Sequence, residues 1–144
     1  PWHALFSGVF TTVCAFRSML PRIDLERYCL LDSMASSMVI GRTGATLAEI
    51  SFACQIALIL HEAGNLADLA WVQMLAYPVV FSLTLAQVFC WSSVISLNHL
   101  GHTIEESLWG ITFIPVGIAL AFCGFNLDGL WQTVCFSGAG QLKN

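Results

Sequence analysis

The sequence predicts an all-α fold: a polytopic integral membrane protein with about four transmembrane helices plus one interfacial amphipathic helix. Two observations carry this prediction, the composition and the length of the uncharged runs. Of 144 residues, 57% are hydrophobic and 10% charged, with a mean hydropathy of +0.76. Water-soluble domains average about 25% charged residues, so this chain has too little charge to cover an aqueous surface. Abundant aromatic and branched residues exclude disorder. Five Lys+Arg against nine Asp+Glu leave no basic patch for nucleic acid.

The elements follow in order. The run 2–20 carries one charge, Arg17, near its inner end. It is long enough to cross a hydrocarbon core about 30 Å thick, and Arg17 can snorkel to the headgroups. It lacks the basic n-region and cleavage site of a signal peptide. Pro21 stops it, and the most polar stretch of the chain follows. Residues 23–40 are then too short and too mixed to span, which predicts the interfacial helix. Further spans are expected at 43–60, 69–98 and 108–125. The third contains Pro78 and no charge; the fourth contains Pro115 and Gly117. Membrane helices tolerate both residue types. Residues 1–125 thus read as one transmembrane helical domain and 126–144 as a surface tail. The start at Pro1 rather than Met suggests a processed chain.

Arg17, Arg22, Arg27 and Arg42 all lie in or beside the first connection. The positive-inside rule puts residues 17–42 on the cytoplasmic, matrix or stromal side. The turn near His61 then faces the opposite side, and the stretch from His99 to Glu106 faces the arginines' side.

Four groups of residues could carry chemistry. Glu49 lies inside the second span, where a charge costs about 2.5–3.5 kcal/mol. It must be paired, protonated or shielded by protein. Arg42, Thr46 and Glu49 share one helix face, and Gln55 is a further intramembrane polar group. An interhelical hydrogen bond or a salt bridge from Glu49 to Arg17 or Arg42 is the expected use; a proton relay, an ion site or an axial ligand to a pigment magnesium are alternatives. Gly41, Gly44, Ala45 and Ala48 supply small-xxx-small spacing, a helix-packing signal. His99, His102, Glu105 and Glu106 could ligate zinc or iron. Against that, Gly101 suggests a turn, and Thr103 with Glu106 fits a capping box. His61 falls on the other side of the membrane and cannot share a metal with them. The six cysteines include no C-x-x-C pair, so those in apolar runs read as small hydrophobes. Neither G-x-S-x-G nor a phosphate loop occurs, and the one Lys, Lys143, lies outside every span.

These features predict an accessory, structural subunit of a larger membrane complex. The expected setting is an energy-transducing organelle membrane, mitochondrial inner or thylakoid, serving electron transport or photosynthesis. Other transmembrane subunits and membrane lipids are the expected partners, and chlorophyll or carotenoid could also be held. A small oligomeric transporter or channel using Glu49 is one alternative. A metal-dependent membrane enzyme using the His99–Glu106 stretch is another.

Overall fold

The computed structural model describes residues 1–23, 28–29 and 33–126. Among the described residues four α-helices make the architecture: α1 (Trp2–Met19), α2 (Met38–Leu66), α3 (Ala70–Ser96) and α4 (His99–Asn126). Three of them, α2, α3 and α4, are long and apolar enough to cross a membrane. α1 has 18 residues with His3 and Arg17 near its two ends, and is not among the three. At 1.5 Å per residue, the 29 residues of α2 extend about 44 Å, more than the hydrocarbon thickness. Its polar end at His61 and Glu62 therefore has room to project or tilt into headgroups.

The first connection departs from expectation. The described part of 23–40 is not one interfacial helix. Arg22–Ile23 (β1) pairs antiparallel with Tyr28–Cys29 (β2). A single 3-10 turn follows at Met34–Ser36, then α2 begins. Ser37 caps α2 by accepting from Ile40 N. Ser33 and Ser37, two of the serines that break the apolar pattern here, serve as caps, which favour non-helical backbone at their own position.

Helix ends differ too. α2 continues through the expected polar turn to Leu66, and α4 starts nine residues before Leu108. Between α2 and α3 the chain reverses through Asp68, whose φ of 55° is left-handed. Leu69 N donates to Gly64 O at 2.8 Å. α3 ends at Leu97, also left-handed (φ 56°), and Asn98 Oδ1 accepts from Leu100 N. Asn98 thus caps α4, and the expected Thr103–Glu106 capping box does not form: Thr103 Oγ1 donates back to His99 O within the helix.

The helices pack in sequence order, with α2 and α3 central and α1 against α2. The apolar core lies toward the α2–α3 turn, built on Leu60, Val72, Val79, Leu83 and Ala119. Phe52 joins α1 to α4 through Phe10, Trp109 and Phe113. Gly101, expected to make a turn, sits inside α4. A Cβ there would lie 2.7 Å from Phe89 O and 3.0 Å from Ser93 Cβ. The missing side chain lets α4 approach the α3 backbone closely. Residues 127–144, expected as a tail, lie outside the described residues.

Candidate functional site

At the end of the bundle away from the α2–α3 turn, three helices turn polar side chains toward one another. α2 contributes Arg42, Thr46 and Glu49, which spacings of four and three place on one face. α3 contributes Gln87, Cys90 and Trp91, at the same kind of spacing. α4 contributes His102 and Glu105 from its first two turns. The early start of α4 matters here, because a helix beginning at Leu108 would carry neither.

The contacts form a continuous cluster. Arg42 Nη2 donates to Glu49 Oε1 at 3.1 Å and to Gln87 Oε1 at 2.9 Å. Gln87 Nε2 donates to the other Glu49 oxygen. Thr46 Oγ1 donates to Gln87 Oε1 at 3.3 Å, and Trp91 Nε1 donates to Thr46 Oγ1 at 3.0 Å. On the α4 side, Arg42 Nη2 lies 3.8 Å from Glu105 Oε1, and His102 Nδ1 lies 2.7 Å from Glu105 Oε2. The Arg42 side chain is 6% exposed, Glu105 8% and Glu49 23%. Burial at this level is tolerable only because each charge faces an opposite one. The linked hydrogen bonds also polarise one another in a low dielectric.

A cavity of about 420 Å³ opens onto this cluster, with Arg17 from α1, Arg42 and Glu49 from α2, and His102, Glu105, Glu106 and Trp109 from α4 on its walls. Two guanidiniums therefore meet three carboxylates. Cys90 Sγ, one His102 ring nitrogen and one Glu105 oxygen lie within 4.8 Å of one another, a set that could hold a metal.

The other expected residues are scattered. His61 is exposed at the opposite end, where its Nδ1 lies 3.2 Å from Asn65 Nδ2. It borders an apolar groove of about 780 Å³ with Trp2, Tyr77 and Phe81. His99 is exposed and is not among the cavity's lining residues. Gln55 is half-buried, and its Nε2 has no hydrogen-bond partner among the described residues. Of the small residues, Ala45 and Ala48 are buried. A Cβ on Gly44 would touch Val13 of α1 at 3.4 Å, whereas one on Gly41 would meet nothing within 4 Å. Gln87, Cys90 and Trp91 were not foreseen. Gln87 in the uncharged run, with Cys90 and Trp91 one turn on, is the available signal.

No family model matches the chain, and no curated protein or solved structure shows significant similarity to it.

Proposed function

We propose that this protein is an accessory, structural subunit of a larger membrane complex, with neighbouring transmembrane helices and lipids covering its sides. One observation carries the reading: the chain buries little of itself. No more than 39% of the apolar window of any of its three long helices is buried within the chain, and α1 has no buried residue at all. α1 also borders two apolar grooves, of about 780 Å³ and 430 Å³. Side-by-side helix association in lipid relies on close van der Waals fit, and such grooves offer it to a partner's helix.

In this reading α1 is a fourth span, and residues 17–42 face the cytoplasmic, matrix or stromal side. Support comes from Arg17, Arg42 and the start of α4 gathering at one end, while His3 and Glu62 pair at the other, 3.4 Å apart. The scarcity of charge suits an organellar inner or thylakoid membrane. The transporter alternative is weaker. Glu49 is tied to Arg42 and Gln87, and the apolar core beyond them includes buried Leu60, Val72, Val79 and Leu83.

Purification from native membranes in mild detergent tests the proposal. The expected result is co-migration with other membrane proteins in fixed ratio, lost in Glu49→Gln. A lone, homogeneous oligomer that moves solute in liposomes, with flux lost in Glu49→Gln, would overturn it.

A further inference from the structure

The α3–α4 side of the polar cluster has features that a purely structural ion pair does not need. Glu105 Oε2 is buried and lies 2.7 Å from His102 Nδ1, with the Cys90 thiol beside the same carboxylate. The same Nδ1 lies 3.8 Å from Cys90 Sγ. Cys90 is fully buried, whereas the His102 side chain is 42% exposed and borders the cavity. Three donor atoms of different softness thus converge at the cavity wall, one reachable from outside. Among the described residues lining the cavity, two cations, Arg17 and Arg42, face three carboxylates, Glu49, Glu105 and Glu106.

We propose that Cys90, His102 and Glu105 bind a divalent transition-metal ion of the zinc class, with a fourth coordination position open to the cavity. Tetrahedral zinc, with Zn–S about 2.3 Å and Zn–N or Zn–O about 2.0–2.1 Å, sets N···S near 3.6 Å and N···O near 3.3 Å. The observed separations are 3.8 and 2.7 Å. Binding therefore requires the thiol to close by about 0.2 Å and the carboxylate and imidazole to part by about 0.6 Å. A half-exposed imidazole has the freedom to do that. The donor set of sulfur, nitrogen and one carboxylate selects a borderline-soft ion over magnesium or calcium, which need oxygen shells. A divalent ion with a Cys90 thiolate also cancels the one unmatched negative charge. Three protein ligands and an open position are the arrangement of zinc sites that bind water or substrate. Arg42, held by Glu49 and Gln87, acts here as the positioning group that fixes Glu105 from behind. The site is independent of whether partner helices cover the grooves.

The intact protein, purified in detergent or lipid nanodiscs and stripped with a chelator, is titrated with Co²⁺ as the probe, since zinc is spectroscopically silent. The site predicts one equivalent of Co²⁺, a thiolate-to-cobalt charge-transfer band, and displacement by Zn²⁺. Cys90→Ser removes the band, and His102→Gln weakens binding by more than about tenfold. His61→Gln, at the far end, leaves both unchanged. If Cys90→Ser does not fold, the half-exposed His102→Gln decides. No stoichiometric binding at micromolar Co²⁺, a cobalt spectrum without the thiolate band, or His102→Gln binding as tightly as wild type would overturn the proposal.

Discussion

Replacing Gly101 by Ala probes the packing that holds α4 against α3. The added Cβ would stand 2.7 Å from Phe89 O, 3.0 Å from Ser93 Cβ and 3.3 Å from Ser93 N. Two of these three atoms belong to the backbone, so no side-chain rotation relieves the clash. The helices must separate by several tenths of an ångström, and overpacking of this kind costs about 1–3 kcal/mol. Ala gives back at most about 1 kcal/mol of helix propensity. The net loss is then about 0–2 kcal/mol, and about 1–3 kcal/mol relative to Ala at an unobstructed glycine of the same helix, several degrees in Tm. Gly110 and Gly117 in the same helix provide the comparison, because a Cβ at either meets nothing within 4 Å. Ala at those positions should be neutral or stabilising by up to about 1 kcal/mol. Thermal unfolding in detergent, followed by tryptophan fluorescence, reads all three variants. Gly101→Ala as stable as Gly117→Ala would refute the close α3–α4 approach, and with it the placement of His102 beside Cys90.

Further outcomes follow from the same geometry. Arg42→Met leaves Glu49 and Glu105 without their cation and should cost about 3–5 kcal/mol; adding Glu49→Gln should recover part of it, measured as a double-mutant cycle in detergent unfolding. Gln87→Leu removes a bridge that both accepts from Arg42 and donates to Glu49. Interhelical bonds in membranes average well under 2 kcal/mol each, so thermal unfolding should show a loss of about 2 kcal/mol. Leu97→Gly relieves a left-handed backbone that costs a non-glycine residue about 1–2 kcal/mol, and should raise the Tm. Glu62→Gln should shift the Tm by no more than about 4 °C, since Glu62 is exposed and such pairs contribute about 0–1 kcal/mol.

Composition and uncharged-run length were enough to read the helical class and the long apolar helices, because hydropathy over a span is a local property. The Arg42–Thr46–Glu49 face was legible for the same reason, as spacings of four and three repeat along one helix. What escaped notice depends on pairing between distant residues. Gln87 sits 45 residues from Arg42, and nothing in its own neighbourhood marks it as the acceptor. Cys90 looked like a small hydrophobe until α4 brought His102 beside it. The polarity of His99–Ser107 reads as a helix end, but His102, Glu105 and Glu106 line the cavity from within α4. The residue type of Gly101 suggests a turn, whereas its missing side chain serves helix contact. The 23–40 stretch carries serines whose capping role depends on where α2 begins.

The central claim, that this chain offers its sides to other membrane subunits, is tested most directly by a photo-crosslinking residue at Tyr77, an exposed position on the larger groove. Irradiated in native membranes, it should yield a discrete adduct with another polypeptide, identifiable by mass spectrometry. Adducts with lipid alone, or only with further copies of this chain, would contradict the claim.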